Sequence, residues 1–235
     1  MPERRAYTGD RPEIREAADG TPSTLVGHAS VFDQWTTLYK GRYWIWREIV
    51  RPGAYANAIR EKQDVRSLFN HDPNFVLGRT TSGTLALEED DSGLLTRTVL
   101  PDTQTIRDLV VAPIRRGDVT GMSFAFEVRK GGTQTRTEHP DGTIVLENGG
   151  ERVTIRREGD VDIEERELLD LDIFDISPVT YPAYEGTDVS ARSRMVPDLE
   201  RRIAERDVPH RAHAPKRDEI RRWLDSVVPT GPAGK

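Results

Sequence analysis

Short β-prone runs bounded by turn residues dominate the middle of the sequence and narrow its possible folds more than any other feature. Turns such as Asn70-His71-Asp72-Pro73 and Asp90-Asp91-Ser92-Gly93 interrupt them. The predicted strands are 24–32, 65–69, 75–78, 84–88, 94–100, 119–128 and 167–179. Strands and helices do not alternate in the βαβ manner. The pattern therefore predicts a mostly β domain, closed or nearly closed into a barrel, with a few flanking helices.

Two helices are predicted between these strands. Pro52-Gly53 opens a short helix over about 54–62, and Asp102 or Thr103 caps a second helix that ends near residue 116. Pro113 lies inside the second pattern, where it removes a backbone donor and crowds the preceding turn. We therefore expect a kink or a break near Pro113.

Composition divides the chain into a central domain and more polar flanks. Residues 1–22 are polar and contain Pro and Gly, so they predict a flexible arm. Residues 23–194 form the predicted domain, in which 130–160 is a polar surface insertion with a possible hairpin at 143–146. From 195 to 235 the apolar density falls, which predicts a tail that is helical in part or disordered.

Charge and residue usage exclude several classes of protein and site. The 235-residue chain has a net charge of −6, so the basic excess of an electrostatic nucleic-acid binder is absent. No cysteine is present, which rules out disulfides, thiolate metal sites and a cysteine nucleophile. No segment has the roughly 20 apolar residues of a membrane helix, and the polar start does not resemble a signal peptide. Neither a metal site nor a cofactor is predicted, because the histidine spacings and glycine-rich loops that would hold one are missing.

A covalent mechanism in this chain would need Ser, Thr, Lys or a carboxylate. Ser123 lies in an otherwise apolar run between Met122 and Phe124, and His71 lies in a turn directly after an apolar strand. Each residue taken alone is explained as well by structure. A buried serine is more often a hydrogen-bonded core residue, and a turn histidine often only supports its own loop.

A Ser–His pair also needs a group that orients the imidazole. Asp175 is the candidate, because a carboxylate between Phe174 and Ile176 in a predicted strand needs a partner. Three further acids in the same region compete for that role: Glu167, Asp170 and Asp172.

The order and spacing of nine short motifs over about residues 24–194 resemble the prohead protease family of tailed phages. The motifs are Gly27-His28-Ala29-Ser30-Val31-Phe32, Pro52-Gly53-Ala54-Tyr55, Leu68-Phe69-Asn70-His71-Asp72-Pro73, Val76-Leu77-Gly78-Arg79, Gly83-Thr84-Leu85, Leu100-Pro101-Asp102-Thr103, Arg115-Arg116-Gly117-Asp118-Val119, Gly121-Met122-Ser123-Phe124 and Asp175-Ile176-Ser177-Pro178-Val179-Thr180-Tyr181-Pro182-Ala183-Tyr184. The resemblance implies a β-barrel flanked by helices, similar to herpesvirus assembly proteases.

The resemblance also implies roles for individual residues. Ser123 falls on the family's nucleophile and His71 on its base, while Asp175 is the expected third member in place of the second histidine of the herpesvirus enzymes. His28 lies in a matched motif, but we expect it to be packed or hydrogen-bonded rather than catalytic.

The implied activity is that of a serine endopeptidase without a cofactor. Its implied substrates are the scaffolding region of the major capsid protein and the protease itself, inside assembling proheads in the bacterial cytoplasm. Self-association is a further expectation, and the segment after about Met195 is a candidate targeting or self-cleaved tail.

Three other functions are compatible with the sequence. The first is a non-catalytic capsid assembly or scaffolding protein on the same fold, in which Ser123 and His71 would lie too far apart to hydrogen-bond. The second is another hydrolase, such as an esterase or a serine–lysine enzyme, for which Lys130 is the nearest lysine to Ser123. The third is a sugar-binding or ligand-binding barrel, suggested by the aromatic residues Trp35, Tyr43, Trp44 and Trp46.

Overall fold

The computed structural model describes residues 2–7, 11–16, 23–181 and 199–209. It confirms a mostly β fold with few helices. The strands are β1 (Glu3–Tyr7), β2 (Glu13–Arg15), β3 (Thr24–Val31), β4 (Thr36–Lys40), β5 (Trp44–Val50), β6 (Arg66–Phe69), β7 (Asp72–Arg79), β8 (Leu85–Glu89), β9 (Gly93–Val99), β10 (Gly121–Val128), β11 (Lys130–Glu138), β12 (Ile144–Gly149), β13 (Glu151–Glu158), β14 (Val161–Leu168) and β15 (Leu171–Val179). The helices are α1 (Ala56–Arg60), α2 (Gln104–Ile106), a π-helical turn (Arg107–Val111), α3 (Ala112–Arg116) and α4 (Leu199–Arg206).

These strands form three sheets that enclose a common apolar core. Their orders are β1-β10-β15-β6-β7, β11-β12-β13-β14-β5-β4 and β2-β3-β9-β8. Buried side chains from all three sheets and from α1 meet in one cluster, which includes Ala29, Val50, Tyr55, Leu94, Phe124, Phe126, Leu168 and Ile176. The sheets curl around this core as a half-barrel. Burial of this apolar surface is the main force that holds the three sheets together.

β10 is the strand that organises the five-stranded sheet. It pairs antiparallel with β1 on one side and antiparallel with β15 on the other. β15 in turn pairs parallel with β6, and β6 forms a hairpin with β7. This strand order places Ser123 of β10, the β6–β7 turn and Asp175 of β15 in the same region of the sheet.

The second predicted helix continues through Pro113 without the expected break, and its winding changes to a π-helical turn directly before α3. Thr103 caps its start, because the Thr103 side chain accepts a hydrogen bond from the backbone N–H of Ile106. The segment directly before α3 is the π-helical turn, and Pro113 is in the first turn of α3. A wider turn moves the preceding carbonyls away from the proline ring, which relieves the clash that Pro causes in a regular helix.

The flexible arm expected over residues 1–22 is wrong for the parts of it that the structure describes. β1 pairs with β10 in a register that sets Ala6 opposite Ser123, and β2 pairs with β3. The segment is polar because β1 is an edge strand held by buried ion pairs, of which Arg5 with Glu48 is the most enclosed. A strand that is held by ion pairs is rich in charged residues, so its composition resembles that of a flexible segment.

The polar insertion at 130–160 is part of a sheet. β11, β12 and β13 pair antiparallel in sequence, and β13 joins the domain by pairing with β14. β12 begins at Ile144 and covers most of the predicted hairpin segment at 143–146. The predicted strand 167–179 is also two strands, since β14 ends at Leu168 and β15 begins at Leu171.

Part of the predicted tail packs on the domain. Leu199 of α4 is buried against Tyr39, Trp44 and Trp46 of the six-stranded sheet. The expected helical character is therefore present at 199–206, but this segment is attached rather than free. The predicted boundary at 194–195 and the tail after residue 209 lie outside the described residues. Within the described ranges, no helix has the length and apolar character needed to cross a membrane.

Candidate active site

Ser123 lies in the buried part of β10. The run from Gly121 to Phe126 is buried throughout, and Ser123 itself is 0% exposed. Its side chain points to the face of the sheet opposite Phe124, which belongs to the core cluster. A buried hydroxyl needs a hydrogen-bond partner, and Ser123 has two polar neighbours.

The first neighbour is His71, whose Nε2 lies 2.6 Å from Ser123 Oγ. His71 is the second residue of the tight β6–β7 turn. Asn70 and His71 both have left-handed backbone conformations, with φ of 54° and 58°. Two successive positive φ values are typical of the turn that joins two-residue hairpins, where the second position usually holds Gly. A histidine there costs conformational energy, so contacts around the turn must hold it in place.

Those contacts come from the end of β15. The backbone N–H of Asn70 donates to the carbonyl of Pro178 at 3.1 Å. The Asn70 side chain accepts from the backbone N–H of Thr180 at 2.9 Å and donates to the Thr180 hydroxyl at 3.1 Å. Asparagine tolerates the left-handed conformation better than most residues. Asn70 therefore fixes the turn that presents the His71 ring to Ser123.

Asp175 contacts the other nitrogen of the His71 ring. Asp175 Oδ1 lies 2.5 Å from His71 Nδ1, and the carboxylate is largely buried. A carboxylate only accepts hydrogen bonds, so Nδ1 carries the proton and Nε2 is left to accept the proton of Ser123. The geometry thus selects the imidazole tautomer that can act as a base toward the serine hydroxyl.

A β-bulge explains how Asp175 comes to face the site. Ala125 pairs with Asp175, but the next residue, Phe126, pairs with Ile173, so Phe174 is the extra residue of the bulge. The bulge resets the alternation of side chains. Ile173 and Ile176 belong to the core cluster, while Asp175 is free to contact His71.

The competing acids have other partners. Glu167 pairs with Arg51 and Arg152, and Asp172 pairs with Arg129. Asp170 accepts a hydrogen bond from the Asn57 side chain. Of the four candidate carboxylates, Asp175 is therefore the one that the fold brings to His71.

Ser177 is a part of the site that sequence reasoning missed. It lies opposite Ser123 across the β10–β15 ladder and is fully buried. Its Oγ accepts the backbone N–H of His71 at 3.1 Å and donates to Asp175 Oδ1 at 3.4 Å. Ser177 therefore holds both partners of the imidazole contact. The available signal was its position two residues after Asp175, on the same face of a strand.

The second polar neighbour of Ser123 is the main chain of β1. Ser123 Oγ lies 2.8 Å from the carbonyl oxygen of Arg5. One hydroxyl carries one proton, so it serves either Arg5 or His71 Nε2 at a given moment. When the proton goes to His71, the serine oxygen is left against the Arg5 carbonyl group.

The remaining sequence candidates lie in other environments. His28 Nε2 contacts the carboxylate of Asp90 at 2.9 Å, which agrees with a hydrogen-bonded strand histidine. Lys130 begins β11, in a different sheet from Ser123. Among the residues that the structure describes, no group of three or more acidic or histidine side chains has an arrangement suited to a metal ion.

The aromatic residues proposed for ligand binding are covered by the protein itself. Trp44 and Trp46 stack on each other and are buried under α4. Arg47 lies over Trp35 and Arg42 over Tyr43, with guanidinium-to-ring distances of 4.8 and 5.2 Å. These rings pack within the domain and do not form an open platform for a sugar.

Comparison with known proteins gives a match to a family model. No curated protein and no solved structure matches the chain significantly. The sequence model of the caudovirus prohead serine proteases matches residues 11–201, which include Ser123, His71 and Asp175. Since the match spans most of the 235 residues, the chain belongs to the caudovirus prohead serine protease family.

Proposed function

We propose that this protein is a serine endopeptidase of phage capsid maturation, with Ser123 as nucleophile, His71 as general base and Asp175 as the residue that orients His71. The observation that carries the proposal is the continuous chain of contacts from Ser123 Oγ to His71 Nε2 at 2.6 Å and from His71 Nδ1 to Asp175 at 2.5 Å. Family membership supplies the reaction class independently of this geometry.

The proposed reaction follows from the positions of the protons. His71 Nε2 takes the Ser123 proton while Oγ attacks the peptide carbonyl carbon, and Asp175 stabilises the imidazolium that forms. His71 then gives the proton to the leaving amine, so the C–N bond breaks and an acyl ester remains on Ser123. Water, activated by the same imidazole, hydrolyses the ester and restores the serine.

The proposed substrates are capsid proteins within the assembling prohead. A prohead protease acts on capsid or scaffolding protein, and the finer expectation is the scaffolding region of the major capsid protein together with the protease itself. The site of action is then the interior of the capsid as it assembles in the bacterial host.

A non-catalytic assembly protein on the same fold is the alternative function. It requires Ser123 and His71 to lie out of hydrogen-bonding range, and the 2.6 Å separation weighs against it. A purely structural serine also needs no third group aligned behind its histidine partner, whereas Asp175 is aligned in this way.

The test is intact-mass analysis of the purified chain, with and without its major capsid protein, for wild type, Ser123→Ala and Ser30→Ala. Ser30 is the matched control, because it is also 0% exposed and its hydroxyl has no hydrogen-bond partner among the described residues. We expect wild type and Ser30→Ala to cut the capsid protein, and Ser123→Ala to leave it intact. Cleavage by all three proteins, or by none of them, would overturn the proposal.

Self-association is a separate part of the proposal. A protease that is confined in a prohead reaches a high local concentration, so dimerisation would restrict activity to that compartment. We expect specific activity to rise with protein concentration, together with a change in mass by analytical ultracentrifugation. A monomer with constant specific activity across dilution contradicts this part alone.

A further inference from the structure

β1 occupies the position from which a substrate would meet Ser123. It is an edge strand, paired antiparallel with β10 so that Ala6 lies opposite Ser123. Ser123 is 0% exposed in this arrangement, and its Oγ contacts the Arg5 carbonyl. No other peptide can reach the hydroxyl while β1 is in place.

The way in which β1 binds is a common mode of peptide recognition. An extended peptide adds to the edge of a sheet, where main-chain hydrogen bonds provide affinity and pockets for alternate side chains provide specificity. The carbonyl group next to Ser123 Oγ belongs to Arg5, at 2.8 Å. Arg5 is therefore on the acyl side of the peptide bond that faces the nucleophile, and Ala6 is on the amine side.

The Arg5 side chain fills a polar pocket that matches it closely. Its Nε and Nη2 donate to the two carboxylate oxygens of Glu48 at 2.6 and 2.9 Å. Its guanidinium also lies 5.3 Å from the centre of the Phe126 ring. Arg5 is 3% exposed and Glu48 is 0% exposed. Two parallel charge-assisted hydrogen bonds with an aromatic face select a planar cation.

The pocket retains a negative charge when β1 is absent. Glu48 also contacts Arg166 at 3.1 Å, and Arg166 contacts Glu151. Removal of β1 takes away Arg5 and Glu3 together, and the Glu48 and Glu151 carboxylates then both face the Arg166 guanidinium. Arg166 keeps the buried Glu48 from being left without a partner, and the excess carboxylate attracts another cation.

We propose that β1 is a bound self-substrate, that the enzyme cuts the Arg5–Ala6 bond, and that Glu48 determines specificity for arginine immediately before the scissile bond. The inference rests on the proposed serine-protease function and adds its substrate class. In the reaction Ser123 Oγ forms an ester with the Arg5 carbonyl carbon, and the Ala6 nitrogen leaves with a proton from His71. Water then releases residues 1–5 with a free carboxylate.

The consequence is a two-step activation. The first turnover removes the strand that covers Ser123, and the vacated edge of β10 with the Glu48 pocket then receives an arginine-containing segment of another protein. The N-terminal segment thus restrains the protease until it is cut.

The test combines the full-length chain with short peptides. The probe is a fluorogenic, internally quenched peptide with the sequence of residues 2–9, compared with versions carrying Arg5→Gln or Arg4→Gln. Removal of one partner of a buried charge pair weakens binding strongly. Arg5→Gln should therefore lower kcat/KM at least about 30-fold. Arg4 lies opposite Ala125 on the other face of the strand, so Arg4→Gln should change kcat/KM less than about threefold.

Intact mass of the wild-type chain should show loss of Met1–Arg5, and Ser123→Ala should retain these residues.

The Glu48→Gln enzyme separates specificity from folding. We expect it to reduce the preference for the Arg5 peptide over the Arg5→Gln peptide from at least about 30-fold to less than about fivefold. A general structural defect would slow both peptides equally. If Glu48→Gln does not fold, the three peptides with wild-type enzyme still decide the question.

Two failures are distinguishable. If Ser123-dependent cleavage of the capsid protein occurs while residues 1–5 remain attached and the Arg5→Gln peptide is cut as fast as the parent, the inference is overturned and the proposed function stands. If nothing is cut in a Ser123-dependent manner, the proposed function fails, and the inference fails with it.

Discussion

The two neighbours of β10 hold Ser123 in different ways. β15 pairs with β10 along its whole length, and its apolar residues Ile173 and Ile176 belong to the main core cluster. β1 pairs over five residues at the edge of the sheet, and its buried residues include a charged one, Arg5. One strand is anchored by apolar burial, while the other is anchored by ion pairs and main-chain hydrogen bonds.

The difference indicates which parts of the site are permanent. β15 supplies Asp175 and Ser177, which contact His71, and it cannot leave without exposing the core. β1 supplies a carbonyl group to Ser123 and an arginine to Glu48, and both contacts are ones that another peptide could make. We therefore propose that β15 belongs to the catalytic machinery and that β1 is its occupant.

Asp175→Asn should have the largest effect, and it tests whether β15 contributes to catalysis through His71. The amide cannot stabilise the imidazolium and favours the wrong tautomer, so kcat should fall by about 10²- to 10⁴-fold, as measured with the peptide of residues 2–9. The matched control is Asp172→Asn on the same strand, where the carboxylate pairs with Arg129 instead of His71. Equal losses in both variants would show that the effect comes from β15 stability rather than from the contact with His71.

Ser177→Ala tests whether β15 also positions the base. The change removes the acceptor of the His71 backbone N–H and a donor to Asp175, so kcat should fall about tenfold with KM nearly unchanged. Steady-state kinetics separate the two parameters. An increase in KM without a change in kcat would assign Ser177 to substrate binding instead.

The turn that carries His71 should be sensitive to backbone conformation. Asn70→Ala places a side chain that disfavours positive φ at 54° and removes the contacts with Thr180, so the free energy of unfolding should fall by about 2 kcal/mol. Asn70→Gly loses the contacts but accepts the conformation, so its loss should be smaller. Urea unfolding measures both, and a larger loss for Gly than for Ala contradicts the assigned strain.

The smallest expected effect is that of acid, which should weaken the attachment of β1 to the sheet more than that of β15. Burial raises the pKa of Glu3, but attraction from Arg166 and Arg5 outweighs burial and holds the pKa well below its ordinary value. Because this pKa is lowered, ionised Glu3 stabilises the paired strand at pH values above its ordinary pKa near 4.5. This contribution is lost progressively as the pH falls below that value. Hydrogen-exchange protection at residues 3–7 of Ser123→Ala should therefore decrease in acid before protection at 171–179 does. Glu3→Gln should remove the difference.

The β15 side of the site was predicted in part from sequence, whereas the contribution of β1 was not predicted at all. His71, Ser123 and Asp175 were identified because their motifs occur in order, and the short runs with turns predicted a mostly β domain. Ser177 was missed because serines in strands are common and its partner is a backbone group. The bulge at Phe174, which turns Asp175 toward His71, depends on pairing with β10 and leaves no local signal.

The other features that the sequence did not predict are strands rich in charged residues. β1 and the 130–160 segment have the composition of solvated chain, and local propensity favours a loop for both. The stabilising partners of β1 are distant in sequence. Arg5 pairs with Glu48, and Arg166 pairs with Glu3, so the strand becomes recognisable only after the fold is formed.

Labelling with a fluorophosphonate, which reacts with serines activated by a neighbouring base, shows directly whether Ser123 is a nucleophile. Wild type and His71→Ala would be treated in parallel, and the modified residue located by peptide mass spectrometry. We expect one adduct, on Ser123, that appears in chains that have lost residues 1–5 and is absent from His71→Ala. An adduct on another serine, or equal labelling of Ser123 without His71, would contradict this expectation.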